Sequence, residues 1–171
     1  FTQLGELETL YLSKNNISNL PILRNNVNLE CIYFNNNYIT SIDEELFKGL
    51  HNLRKINLNH NKLSTLGENL FRELTKLTSL DILSNQIATV HQSLFSNLTS
   101  LKRLDISNNK VKSLHPNMFE DLKDLNILNL EKNDITTIPS GTFAGLSRLR
   151  NLDLNGNQLY ILYNSTFGTL S

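Results

Sequence analysis

Apolar residues return along this chain with a long, even stride. Leu7, Leu29, Leu53, Leu77, Leu101, Leu125 and Leu149 each open the phrase L-x-x-L-x-L-x-x-N-x-L, first after 22 residues and then every 24. Within each unit the first, fourth, sixth, eleventh and fourteenth positions are apolar. Across seven units all 35 such positions are Leu, Ile, Val or Phe, in a chain only 39% hydrophobic overall. A repeat of this period specifies a solenoid, in which each unit contacts only its neighbours and buries a continuous seam against them.

The middle of a unit, such as Leu53-Arg-Lys-Ile56-Asn-Leu58-Asn, alternates apolar and polar residues. That is the period-two signature of a short strand with one buried face. Leu53, Ile56 and Leu58 are expected to point inward, and Lys55, Asn57 and Asn59 outward. Stacked units place such strands side by side in a parallel sheet, with a polar face roughly 30 Å long over seven strands at about 4.8 Å each. After each strand stands an asparagine: Asn15, Asn37, Asn61, Asn85, Asn109, Asn133 and Asn157. The chain turns there and leaves backbone groups facing the interior. A carboxamide, with donors and an acceptor, can satisfy them unit after unit as a structural ladder.

The return half of each unit mixes polar residues with Leu or Met, then Phe, then Leu. Phe47, Phe71, Phe95, Phe119, Phe143 and Phe167 recur at that place and predict a second stacked spine. These segments are too short for long helices, so short helical turns or extended backbone are expected. The first unit departs from the scheme. Its return, Leu20 to Asn28, is two residues shorter and lacks a phenylalanine, which predicts a local change of curvature.

Phe1 and Leu4 match Phe71 and Leu74 in phase, and Phe167 and Leu170 stop at the same phase. The sequence therefore reads as a single repeat domain over residues 1–171 cut at unit boundaries, with its polar end caps missing.

L-x-x-L-x-L-x-x-N-x-L-x-x-L-x-x-x-x-F-x-x-L-x-x resembles the leucine-rich repeat, and the resemblance covers the whole chain. The 24-residue unit with its phenylalanine resembles the typical subclass, as found in Toll and Toll-like receptor ectodomains, Slit-like proteins and insect leucine-rich immune proteins. The resemblance implies an α/β repeat solenoid: a right-handed horseshoe with a parallel β-sheet on the concave face and short helical turns or extended segments on the convex face. It also implies an extracellular or cell-surface setting and a ligand bound on the concave face.

Net charge is formally +0, which gives no electrostatic reason to expect nucleic acid or an anionic membrane as partner. No apolar run approaches the roughly 20 residues that span a bilayer. The single cysteine, Cys31, excludes an internal disulfide framework. It is expected to point outward beside Lys55, as an inert thiol or a link to another chain. His91 and His115 fall one unit apart but find no third ligand in phase, since Asp43 is the only acid at that position, two units away. No nucleophile, base and orienting acid assemble, no phosphate-cradling glycine loop occurs, and no cofactor is expected.

The outward row at the strand centres reads Tyr11, Tyr33, Asn57, Asp81, Asp105, Asn129 and Asp153, with Arg54, Lys55, Lys102, Arg103 and Arg150 beside it. Exposed neighbouring tyrosines suit a binding hot spot. The aspartates are either contact residues or acids neutralised by the adjacent bases. Leu83 and Ile127 are apolar where other units are polar, as contact anchors would be. The candidate ligand-binding set is thus Tyr11, Tyr33, Arg54, Lys55, Asn57, Asp81, Leu83, Arg103, Asp105, Ile127 and Asp153. Three sequons, at Asn16, Asn97 and Asn164, mark possible N-glycosylation, though with 26 Asn and 28 Ser or Thr in the chain they are no more numerous than chance. The reading is a non-catalytic recognition module of an extracellular receptor or secreted innate-immune protein, binding a protein ligand or another leucine-rich repeat protein. An adhesive scaffold and a cytosolic enzyme inhibitor stand as alternatives.

Overall fold

The computed structural model describes residues 3–167, with the side chain of Asn164 outside that description; Phe1 and Leu170 lie outside the described residues. Seven three-residue strands, β1 (Thr9–Tyr11), β2 (Cys31–Tyr33), β3 (Lys55–Asn57), β4 (Ser79–Asp81), β5 (Arg103–Asp105), β6 (Ile127–Asn129) and β7 (Asn151–Asp153), form one parallel sheet in chain order. The register shifts by one unit per strand, so Leu10, Ile32, Ile56, Leu80, Leu104, Leu128 and Leu152 lie in one line. A parallel pair requires a crossover, and here each crossover is the remainder of its own unit. The result is the repeat solenoid of the leucine-rich repeat pattern, with about six turns.

Unit periodicity becomes a core because like stacks on like. Leu29, Leu53, Leu77, Leu101 and Leu125 have no exposed surface, and neither do Ile32, Ile56, Leu80, Leu104 and Leu128. The phenylalanines form the expected second spine. Ring centroids lie 5.9 Å apart for Phe47 and Phe71, 5.8 Å for Phe95 and Phe119, 6.3 Å for Phe119 and Phe143, and 5.9 Å for Phe143 and Phe167. Offset stacking at such separations adds about 0.5–1.5 kcal/mol per pair beyond area burial.

The return segments are successive turns closed by three-residue backbone bonds, such as Leu46 N–H to Asp43 C=O (3.0 Å) and Leu53 N–H to Leu50 C=O (3.1 Å). The one helical element among the described residues is a 3₁₀ turn at Asn164–Thr166.

In the first unit Leu23 takes the place of phenylalanine, and Asn26 takes that of the following leucine. Both are fully buried, and Asn26 Nδ2 donates to the Leu4 carbonyl at 2.8 Å. The shorter return leaves Ile22 65% exposed beside a groove lined by Leu20, Pro21 and Leu46.

Candidate recognition surface

The asparagine after each strand fixes the concave edge. Asn109 Nδ2 donates to the carbonyls of Ile106 and Ser107 in its own turn and of Ile82 one unit back, each at 3.1 Å. Its Oδ1 accepts the Ile87 N–H at 3.0 Å. Asn37, Asn61, Asn85 and Asn133 repeat that pattern and are buried. Asn157 does so half-buried, while Asn15 is exposed and donates within its own turn to Leu12 and Ser13.

Each of those turns also needs a left-handed residue just before its asparagine. Lys14, Asn36, His60, Ser84, Asn108, Lys132 and Gly156 all have φ between 51° and 67°. Only the last is a glycine, so the ladder imposes a costly backbone conformation on ordinary side chains.

On the sheet face, parallel register puts Tyr11 directly beside Tyr33. Their rings stack at 4.8 Å with 8° between planes, matching the inter-strand spacing. Lys55 Nζ lies 5.2 Å from the Tyr33 ring centre, and its positive charge is attracted to the ring face. Tyr11 is 71% exposed and Tyr33 half-buried. Cys31 is a half-buried free thiol in register with Lys55.

At the same register position farther along, Asp81 and Asp105 are buried. Arg103 lies across both, its Nε on Asp81 Oδ1 at 3.0 Å and a terminal nitrogen on Asp105 Oδ2 at 2.7 Å. Asp105 Oδ1 also accepts Ser107 Oγ (2.6 Å) and the Ser107 N–H, and Asn129 Nδ2 reaches Oδ2. Ser79 Oγ donates to Asp81. Alternation places these carboxylates in the outward row, and in the structure the neighbouring arginine covers them.

Asn57, Asp105, Asn129 and Asp153 each accept the N–H two residues on, at 2.9–3.1 Å. This Asx turn ends the strand and gives the recurring Asn or Asp a local structural task. Asp153, Leu83, Ile127, Asn57, Lys55 and Arg103 are half-buried; Arg54 is exposed and lies 3.5 Å from Glu30.

Away from the sheet, His91 Nε2 meets Glu68, an acid at a different position in the repeat, at 3.2 Å. Asn16 and Asn97 are exposed together with Ser18 and Thr99 of their sequons. Hydrogen bonds donated to the carboxylates of Glu45 and Glu131, and secondarily the charges of those carboxylates, raise the pKa of the exposed ammonium groups of Lys48 and Lys132. No helix among the described residues is long and apolar enough to cross a membrane.

The candidate set takes only Arg54 from the row one residue before each strand, although Lys102 and Arg150 of that row stand beside the same outward positions. Glu8, Glu30, Arg54, Thr78, Lys102, Asn126 and Arg150 form that row, each N–H bonded to the carbonyl of the one before at 2.7–2.9 Å. Reading the second position of every unit down the sequence would have found it.

The model of the BspA type leucine rich repeat region matches residues 22–150 and 83–170 in six copies, and that of the leucine rich repeat matches residues 6–26. No curated protein matches the chain. Among solved structures, a leucine-rich repeat protein of Leptospira interrogans is 30% identical, with a TM-score of 0.88 over 99% of this chain and 42% of its own. Toll of Drosophila, in its complex with Spätzle, is 24% identical with a TM-score of 0.86, over 99% of this chain and 28% of its own. The TLR13–ssRNA13 complex gives 24% and 0.71, over 95% and 27%. The chain thus spans less than half the length of each. The chain belongs to the leucine-rich repeat family.

Proposed function

We propose that this chain is a non-catalytic protein-recognition module that binds a protein ligand, or another leucine-rich repeat protein, on its concave sheet. We place it in the extracellular part of a receptor or of a secreted innate-immune protein. The family and fold are those of protein-interaction scaffolds; the binding face and the receptor role are our reading. The observation that carries it is the stacked Tyr11–Tyr33 pair with Lys55 on the second ring. It is a rigid, partly wet aromatic platform whose ordering cost is already met in the free protein. Toll is bound to Spätzle in the complex named above, and TLR13 is bound to single-stranded RNA in its complex. At 24% identity the likenesses to Toll and to TLR13 alike carry the fold alone, so the choice of a protein ligand rests on the surface itself. With a formal net charge of +0 we keep nucleic acid outside the reading.

Selection of a displayed random peptide library on the immobilised chain tests this. Selected peptides are expected to lose about tenfold or more in affinity for Tyr33→Ala and severalfold for Leu83→Ser, and to ignore Arg72→Ala on the convex side. Peptides that ignore both concave changes and respond to Arg72→Ala would overturn the assignment.

A further inference from the structure

Two rows of side chains run along the leading edge of the sheet, and over the first five units their charges are sorted; the sorting ends at Asp124, which is paired with Arg148 at 2.6 Å. One row is the hydrogen-bonded line Glu8, Glu30, Arg54, Thr78, Lys102. The other, two residues earlier in each unit, is Glu6, Asn28, Asn52, Lys76, Ser100. It too is stitched from unit to unit: Asn28 Nδ2 reaches the Gly5 carbonyl at 3.1 Å, Asn52 Nδ2 reaches Val27 at 3.1 Å, and Lys76 Nζ reaches Asn52 Oδ1 at 2.8 Å. Ahead of β1 and β2 this edge carries three acids and no base. Ahead of β3, β4 and β5 it carries three bases and no acid. The two blocks meet where Arg54 and Glu30 approach to 3.5 Å. In the basic block a shallow groove of about 250 Å³ is lined by Arg54, Lys76, Thr78, Ser100, Lys102 and Asp124. Lys102 and Lys76 are exposed, and so are Glu6 and Glu8.

We propose that this edge docks an extended polypeptide segment with sorted charge, its acidic residues over Arg54, Lys76 and Lys102 and its basic residues over Glu6, Glu8 and Glu30. The class of partner rests on the protein-recognition reading above. The choice of a polypeptide over a polyanion follows from the blocks themselves. A nucleic acid or a sulfated glycan carries one sign throughout. If seated on the basic groove, it would meet the acids of the neighbouring block within one Debye length, about 10 Å at 0.1 M salt. The groove also lacks an aromatic lining on which unpaired bases would stack. A polypeptide can change sign along its length. From Glu8 to Lys102 the edge spans four strand spacings, roughly 19 Å, which about six residues of extended chain cover. Charge order of this kind fixes orientation and speeds encounter more than it deepens affinity.

Fluorescence anisotropy with two labelled peptides of identical composition provides the test. One peptide is three lysines, two glycines and three glutamates in blocks; the other alternates lysine and glutamate. The block peptide is expected to bind about fivefold or more tightly at low salt, and the preference is expected to vanish at about 0.5 M salt. Arg54→Glu with Lys102→Glu should abolish the preference. Adding Glu8→Lys and Glu30→Lys should restore it, because the peptide then seats the other way round. All four side chains contribute little to the core, so the variants should remain folded. Equal binding of the two peptides, or tighter binding of decauridylate or a heparin hexasaccharide, would overturn the proposal. Tyr33→Ala is expected to leave the block preference intact. Failure of the concave platform and failure of the charged edge therefore produce different results.

Discussion

Tyr11 and Tyr33 on β1 and β2 stand at the same register position as Asp81 and Asp105 on β4 and β5, yet the tyrosines reach solvent and the aspartates are buried. The backbone is the same in both places; the difference lies one residue away. On β5 Arg103 folds over two carboxylates, and Ser107 and Asn129 close the rest of the shell around Asp105. The equivalent of Arg103 on β3 is Lys55, which leans over a ring and leaves the outer tyrosine open. Repeat position thus decides which way a side chain points, and the neighbouring unit decides whether anything else can touch it. The middle of the sheet satisfies its own polar groups, while on its first strands Tyr11 stays 71% exposed.

The widest gap between the two regions is expected at the asparagines. Asn109→Ala removes the acceptor of the buried Ile87 N–H and one donor to each of the Ile82 and Ile106 carbonyls; Asn85 and Asn133 remain as second donors. A loss of about 3 kcal/mol in urea unfolding is expected. Asn15→Ala, exposed and bonded only within its own turn, should cost less than about 1 kcal/mol. Equal losses would show that the ladder is not stabilised by burial and contact with the next unit.

A smaller contrast is expected on the sheet face. Arg103→Ala strips the guanidinium from two buried carboxylates and should cost about 2 kcal/mol, less than a fully enclosed pair because the arginine itself is partly exposed and Ser79, Ser107 and Asn129 remain. Lys55→Ala at the equivalent position should change stability by about 0.5–1 kcal/mol, the scale of a cation over a ring that keeps contact with water. The same unfolding measurement checks both. A Lys55 effect as large as that of Arg103 would erase the distinction between a sealed middle and an open end.

Strand positions, the buried seam and the phenylalanine spine were all legible in the sequence, because each depends on a residue type recurring at a fixed place in the unit. Neutralisation of Asp81 and Asp105 by an adjacent base was one of two readings open in the sequence, and Arg103 pairs with both; that the same arginine would also bury them was not legible. Their burial depends on one arginine reaching into the preceding unit, and nothing about L-D-[IL] distinguishes these aspartates from the half-buried Asp153. The sorted charge of the leading edge was present in the letters but falls outside the alternating pattern that selected candidates. The Asx turns were hidden for a different reason. Asn57 and Asp105 look like surface residues, and only the geometry reveals that each accepts the N–H two residues on.

Least visible of all is the left-handed residue before each ladder asparagine, because Lys14, Asn36, His60, Ser84, Asn108, Lys132 and Gly156 are of five residue types, and only the asparagines, the histidine and the glycine are of types enriched at positive φ. Here the two regions should behave alike. At φ of 59° and 55°, Lys14 and His60 bear a strain that glycine would relieve, offset by the greater freedom glycine gives the unfolded chain. Lys14→Gly beside β1 and His60→Gly after β3 are each expected to stabilise the protein by about 0.5 kcal/mol, read as a rise of a degree or two in melting temperature. Matching gains would mean that the turn is a property of the repeat itself, independent of how crowded its neighbourhood is. A gain at one site and a loss at the other would mean that local packing sets even this backbone feature, and the division drawn here between direction and access would fail at its simplest point.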